Sequence, residues 1–194
     1  MTEREGAFGV ETLKHQYASW CAASAYGRGL GGGGNELAFA LIEAAGLVDV
    51  TNPDDIGEDV DLWQLGFMRK IMAEAERRRV PNFAFGHAQK LVNIYLKTTL
   101  VCGGHHAHYK VQKLHPPLDY ELFKGLRSYL WRQRKVLGSA REAFRAAQAT
   151  NPSWTTFTEA DYLAHIAAIK QLMAGRPLYL VEEHWPLGIT GGSA

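Results

Sequence analysis

The apolar positions of the chain recur at intervals of three and four residues, and this spacing predicts an all-α protein. In the predicted helix 10–26, for example, Val10, Leu13, Tyr17 and Trp20 follow this spacing. The predicted helices cover residues 10–26, 36–45, 62–79, 83–101, 139–149 and 162–173, and a further one begins near Asp119. We therefore expect a compact multi-helix domain, built either as one unit or as two helical halves around a single cleft.

Two stretches lack the helical pattern. Residues 102–118 show no periodicity and form a connection longer than most loops in compact domains, which indicates either a functional loop or local disorder. Among the remaining segments, Leu178–Val181 is the one with a strand-like pattern. We expect residues 1–186 to form a single helical domain and residues 187–194 to form a loose C-terminal tail.

The predicted helix 83–101 carries one polar stripe on an otherwise apolar surface. Gln89, Asn93 and Lys97 follow one another at intervals of four residues, and this pattern indicates a long, mostly buried helix. Lys90 lies on the same helix. A lysine is costly to bury unless its charge is paired or its pKa falls, and the second outcome makes the amine nucleophilic.

The composition is that of an ordinary globular protein. Apolar residues make up 46% of the chain and charged residues 21%, which excludes a largely disordered or low-complexity sequence. The two cysteines, Cys21 and Cys102, are too few for a disulfide framework and are typical of a reducing compartment. No signal-peptide pattern or long apolar run is visible, so we expect a cytoplasmic monomer without membrane contact.

The charges are unevenly distributed, although the formal net charge is only +1. Residues 1–80 hold 13 acids and 8 bases, whereas residues 100–150 hold 9 bases and 3 acids. Aromatic residues are interleaved with these bases, a mixture suited to phosphate contact and base stacking. Composition alone favours a solvated helix face, so a nucleic-acid hypothesis requires suitable chemistry beside the basic stretch.

Cysteine and histidine are concentrated in the segment 102–118. The tract consists of Cys102, His105, His106, His108 and His115. A zinc site requires three or four ligands at regular spacings, and no second cluster completes this one, so we expect no metal. Exposed histidines that contact phosphate are favoured, and a metal-dependent hydrolase using the His105–His115 loop stays open as an alternative.

Asp119 follows two prolines and begins a predicted helix. The free N–H groups and the dipole of a helix N-terminus keep a carboxylate ionised, which suits a group that must stay charged beside a developing cation. An aspartate in this position is more often a helix cap only, worth about 1 kcal/mol. The position of Asp119 alone therefore does not indicate catalysis, and a second reactive group beside it is needed to support that interpretation.

Two short motifs resemble the central region of the helix-hairpin-helix DNA glycosylases, most closely the archaeal 8-oxoguanine glycosylases. The motifs are Gln89-Lys90-x-Val92-x-x-x-x-Lys97 and Pro117-Leu118-Asp119-Tyr120, and the resemblance covers residues 83–130. It implies that Asp119 lies beside a flipped nucleoside and stabilises the oxocarbenium charge or activates the nucleophile. In the bifunctional members a lysine attacks the sugar, a role that matches Lys90 or, in its place, Lys97; without lysine attack, water is the nucleophile and the product is an intact abasic site. The hairpin sequence Leu-Pro-Gly-Val-Gly of that superfamily is replaced by Phe85-Gly86-His87.

The resemblance implies a fold of the helix-hairpin-helix glycosylase type and an enzyme acting on double-stranded DNA without a cofactor. Such an enzyme flips out a damaged or modified base and cleaves its N-glycosidic bond, in base-excision repair or in defence against phage. The base would be an oxidised purine or a modified base of phage DNA. A non-catalytic helical module that binds DNA or RNA stays open as an alternative.

Two sets of contact residues accompany this hypothesis. The expected DNA-binding residues are Gln89, Asn93, Lys97, His105, His106, His108, Lys110, Lys113 and Arg127. The expected aromatic residues of a base pocket or wedge are Tyr17, Trp20, Trp63 and Trp185.

Overall fold

A computed structural model describes residues 9–30 and 34–186, and within these ranges every regular element is a helix. The α-helices are α1 (Val10–Tyr26), α2 (Asn35–Ala45), α3 (Val60–Arg77), α4 (Phe85–Leu96), α5 (Tyr120–Arg132), α6 (Gly138–Thr150) and α7 (Glu159–Met173). The all-α prediction is confirmed. The predicted loose tail, residues 187–194, lies outside the described residues.

The ends of the helices follow from local sequence chemistry. Asp119 caps α5 by accepting a hydrogen bond from the Leu122 N–H at 2.8 Å. Thr158 and Asp161 form a reciprocal capping box at the start of α7, as their spacing predicts. Gly46 ends α2 in the left-handed conformation, with a φ of 79°, which a residue without a Cβ adopts at little cost.

The structure corrects two sequence-based expectations. Leu178–Val181 is not a strand, because it belongs to a 3₁₀ helix, Leu178–His184, that packs on α5 and α7. The segment 102–118 is more regular than its sequence indicates. A π-helical segment, Lys97–His105, continues α4 into it, and a short 3₁₀ helix follows at Val111–Lys113.

Helix α4 lies at the centre of the molecule, and every residue of it is buried. Helices α1 and α3 pack against it, and α2 packs against α1 and α3. Burial on all sides explains why its sequence is apolar around most of its circumference. Its polar residues must therefore find partners inside the protein, which gives α4 its role in the site described below.

The C-terminal part of the described chain packs beside this first group of helices. Helix α6 lies along α7, and the 3₁₀ helix Leu178–His184 covers α5. Two glycines permit close main-chain contacts here, since a Cβ on Gly86 would lie 1.6 Å from the Trp154 carbonyl oxygen and one on Gly125 would lie 1.6 Å from the His184 carbonyl oxygen. Both contacts hold segments that line the cleft described next.

None of the described helices combines the length and the apolar character that crossing a membrane would require.

Candidate functional site

A cleft of about 750 Å³ lies between the two groups of helices. Its walls come from the C-terminal half of α1, from one face of α4, from the start of α5 and from the segment that ends at Trp185. The side chains with polar or aromatic groups on its surface include Ser24, Arg28, Lys90, Lys97, Asp119, Tyr120, Trp154, Glu182 and Trp185.

Lys90 and Asp119 meet at the wall of this cleft. The Lys90 ammonium lies 2.9 Å from Oδ2 of Asp119, and the side chains are 6% and 18% exposed. The second carboxylate oxygen of Asp119 accepts the Leu122 N–H and so caps α5. The N-terminus of α5 thus orients the carboxylate, and its other oxygen is directed at the lysine. The two residues that the resemblance names as catalytic are brought together.

The surroundings of Lys90 act on its amine in opposite directions. Burial lowers the pKa of Lys90, and the carboxylate of Asp119 opposes that shift. The indole of Trp154 forms a further wall, with its ring centroid 5.6 Å from the Lys90 ammonium. The net direction is downward, so the amine is easier to deprotonate than an exposed lysine.

Gln89 fixes the main chain directly before Asp119. Its side-chain amide donates to the Leu118 carbonyl at 2.9 Å and accepts from the Leu118 N–H at 3.1 Å. Gln89 is completely buried. A side-chain amide that holds both polar groups of one residue restrains the backbone on which the Asp119 carboxylate is mounted.

Asn93 connects this clamp to a wider buried network. Its amide nitrogen lies within hydrogen-bond distance of the Gln89 side-chain oxygen, the Pro116 carbonyl and the Tyr162 hydroxyl, at 3.0, 2.9 and 3.1 Å. Gln64 donates to the Asn93 side-chain oxygen at 2.6 Å and accepts from the His115 N–H at 3.0 Å. The segment before Asp119 is therefore held by side chains of α3 and α4.

The network reaches the surface through His115 and Asp61. His115 Nδ1 lies 2.8 Å from the Tyr162 hydroxyl, and Nε2 lies 3.0 Å from the Asp61 carboxylate, which also pairs with Lys170. The Asp61 carboxylate can only accept, so the imidazole proton is on Nε2, and Nδ1 accepts from the Tyr162 hydroxyl. Burial lowers the pKa of His115, and the hydrogen bond from His115 lowers the pKa of Asp61.

A second ion pair lies in the same cleft. The Lys97 ammonium is 2.6 Å from Oε2 of Glu182, with side chains 27% and 17% exposed. The other carboxylate oxygen of Glu182 is buried and has no hydrogen-bond partner among the described residues. Lys97 follows Lys90 by seven residues, which places it about two turns further along the same helical face. Two lysines and two carboxylates therefore line the cleft.

The structure divides the expected DNA-binding residues into two groups. Gln89 and Asn93 are buried and bound to other protein groups, so their positions do not present them to DNA. Lys110 is also buried and donates to the Ile56 carbonyl and to Glu58, both at 2.8 Å. The expected residues that are at least partly accessible are Lys97, His105, His106, His108, Lys113 and Arg127.

The aromatic residues of the cleft differ from those expected as a base pocket. Tyr17 and Trp20 stack on each other on the exposed side of α1, and neither lines the cleft. Trp63 packs edge-on against Phe67 and is likewise absent from the cleft wall. Of the four expected aromatic residues, Trp185 alone reaches it.

Two further aromatic residues line the cleft, Trp154 and Tyr120, and the sequence reasoning did not assign either of them to the base pocket. Tyr120 directly follows Asp119, and this adjacency was the available signal for it. Trp154 lies in a short turn whose contact with Gly86 is not visible in the sequence.

The cysteine and histidine tract does not assemble a metal site. Among the described residues, no group of three or more His, Cys, Asp or Glu side chains has the arrangement that would hold a metal ion. The tract is spread over the end of the π-helical segment, a turn and the buried network, so His115 points away from the others toward Asp61.

No protein-family model matches the chain, and no curated protein or solved structure is significantly similar to it.

Proposed function

We propose that the protein is a DNA N-glycosylase that receives an extruded base in the cleft and cleaves its N-glycosidic bond. The observation that carries this proposal is the 2.9 Å pair between Lys90 and Asp119 at the wall of a cleft of about 750 Å³. Pockets of about 300–1,000 Å³ accommodate small organic ligands, and a nucleoside falls within this class. Both residues also match the catalytic pair of the glycosylases that the sequence resembles.

Asp119 supplies the negative charge that the reaction requires. Departure of the base creates oxocarbenium character at C1′ of the sugar, and a fixed carboxylate stabilises that charge or orients an attacking water. The hydrogen bond from Leu122 and the clamp on Leu118 hold this carboxylate in place before substrate arrives. A group oriented in advance loses little free energy to reorganisation during the reaction.

Lys90 supplies the nucleophile. After losing a proton to solvent, the amine attacks C1′, and the bond from C1′ to the base nitrogen breaks. The base leaves with that electron pair and takes up a proton. The sugar ring then opens as its ring oxygen O4′ takes a proton from the bound amine, which leaves a protonated imine between Lys90 and C1′. Burial favours the neutral amine, which is the form that attacks.

The aromatic residues of the cleft suit a flipped base. Tyr120, Trp154 and Trp185 line the same cleft as the ion pair. Stacking of a base on an aromatic side chain contributes about 1–3 kcal/mol, which offsets the cost of a few kcal/mol for taking it out of the duplex.

The decisive test separates chemistry from binding. Asp119→Asn keeps a side chain that caps helices, so α5 should form while base release from duplex DNA is lost. Sodium borohydride should trap the parent enzyme on modified duplex, whereas Lys90→Gln should give no adduct. Lys97→Gln is the matched control, since Lys97 lies in the same cleft and should still permit trapping. Undiminished release by Asp119→Asn would refute the proposal.

The base itself is identified by an unbiased measurement. Genomic DNA from several sources, including phage genomes with modified bases, is incubated with the parent enzyme and with Asp119→Asn. Liquid chromatography with mass spectrometry then compares the released bases. A base released by the parent enzyme only is the substrate, and duplex binding without any release would indicate the non-catalytic module instead.

A further inference from the structure

A second depression lies on the surface between α5 and α6. It has a volume of about 500 Å³. Arg127 of α5 and Arg145 of α6 line it, together with Gln148 and Glu142, and the buried ring of Phe144 is part of its wall. Two arginines from different helices thus line one groove.

We propose that this groove binds a backbone phosphate of the DNA that flanks the extruded nucleotide. The inference rests on the proposed function, because that function requires duplex DNA at the cleft. A guanidinium presents paired N–H donors in a plane, which matches the oxygens of a phosphate better than a lysine does.

The groove is connected to the cleft through Tyr120. The Arg127 guanidinium carbon lies 5.8 Å from the centroid of the Tyr120 ring, and Tyr120 lines the cleft beside Asp119. Tyr120 is half exposed. Tyr120 therefore lies between Asp119 and Arg127 on this surface. A DNA strand whose extruded nucleotide lies beside Asp119 would have its flanking backbone close to Arg127.

The local charge favours a polyanion. Residues 120–150 hold seven bases and two acids, although the whole chain has a formal net charge of only +1. Glu142 is the acid in the groove, and it already lies 3.1 Å from Arg141 and 3.4 Å from Arg145. The side-chain partner of Arg127 is the neutral Gln148, at 2.8 Å, so the charge of Arg127 is not compensated by this contact.

Two arginines at the end of α3 provide a control. Arg77 and Arg78 are both bound to Glu74, each at 2.6 Å. Neither lines the cleft or the groove. Removing one of these charges should leave DNA binding unchanged.

The test is the salt dependence of binding to a duplex that contains a tetrahydrofuran abasic-site analogue, measured by fluorescence anisotropy. Loss of one phosphate contact reduces the slope of log affinity against log salt by about 0.9. The double variant Arg127→Gln, Arg145→Gln should show this reduction and bind severalfold more weakly at low salt. Arg77→Gln should match the parent. A parental slope in the double variant, an equal change in Arg77→Gln, or no binding of the duplex by the parent would overturn the proposal.

The same variants separate this inference from the proposed function. At saturating DNA, Arg77→Gln should release base at the parental single-turnover rate, because Arg77 lines neither the cleft nor the groove. If Asp119→Asn retains base release while the double variant changes the salt slope, the catalytic assignment fails and the phosphate site stands. If the salt slope of the double variant equals the parental slope while Asp119→Asn is inactive, the phosphate site fails and the catalytic assignment stands.

Discussion

The side-chain amide of Gln89 binds both main-chain polar groups of Leu118, at 2.9 Å and 3.1 Å, one residue before Asp119. The contact resembles a single rung of a β-ladder made by a side chain inside an all-helical protein. It links α4, which carries Lys90, to the segment that carries Asp119. The distance between the two charged groups is therefore set by a neighbouring amide as well as by their own attraction.

Replacing Gln89 by methionine should separate positioning from folding. The change leaves the buried N–H and carbonyl of Leu118 without partners, at a cost of about 1–3 kcal/mol for each group. We expect a lower melting temperature and, under the proposed function, slower base release at saturating DNA with unchanged duplex affinity. Ile169→Ala, a core change in α7, is the control for destabilisation alone and should retain the parental rate. Equal rates in both variants would contradict a positioning role.

The ion pair predicts a pattern of stability that does not depend on any activity. Asp119→Asn retains a cap but leaves the buried Lys90 without its charge partner, so unfolding should become easier by about 1–3 kcal/mol. Adding Lys90→Met removes the uncompensated charge and should restore part of the loss. Thermal unfolding of the parent, both single variants and the double variant gives the coupling free energy between Lys90 and Asp119. Strict additivity would mean that the two groups do not interact in solution.

Gly125 predicts a steric effect on the cleft. A Cβ at this position would meet the His184 carbonyl oxygen at 1.6 Å, so Gly125→Ala must displace the segment that carries Glu182 and Trp185. Overpacking of this kind costs about 1–3 kcal/mol. The melting temperature should fall by several degrees, and the tryptophan fluorescence of Trp185 should shift. Gly138→Ala, where a Cβ has open space, is the matched control and should leave both unchanged.

Buried histidines predict that the protein loses stability in mild acid. Burial lowers the pKa of His87, His115, His165 and His184 in the folded state. Below about pH 6.5 the unfolded chain binds protons that the folded chain does not, so the free energy of unfolding falls as the pH decreases. Urea unfolding between about pH 7.5 and pH 5 measures the slope, above the range in which carboxylates titrate.

His165→Phe provides the control for this slope. His165 stacks between Phe123 and Phe157, with centroid distances of 4.9 and 4.7 Å, so a phenyl ring suits the space. The variant loses two hydrogen bonds and should be less stable throughout, yet its stability should depend less steeply on pH. A parental slope in His165→Phe, or stability that does not change with pH in the parent, would contradict the assignment.

The helices were predictable because their signals are local. The capping box of Thr158 and Asp161, the stop at Gly46 and the cap at Asp119 each depend on residues within one turn. Leu178–Val181, the one segment with a strand-like pattern, is a 3₁₀ helix, because four apolar residues in a row fit a 3₁₀ turn as well as a strand.

The partners of the polar stripe of α4 could not be predicted from the sequence. Spacing placed Gln89 and Asn93 on one face but did not reveal what that face meets. Their partners Leu118 and Tyr162 lie 29 and 69 residues away along the chain. In the sequence of a mostly apolar helix, a stripe of amides indicates either a face exposed to solvent or an internal hydrogen-bond network. Only the tertiary structure distinguishes these two possibilities. Lys90 and Asp119 were identified because a resemblance named both.

The cleft is built from opposite ends of the described chain, since α1 forms one wall while Glu182 and Trp185 complete another. During synthesis on the ribosome, the lysine and its aspartate emerge long before the last wall does. A polypeptide cut short after Arg176 would lose this wall together with the core residues Leu178 and Val181, and the Lys90 pair would lie in an open cleft. Under the proposed function, base release should therefore require a chain that extends through residue 185.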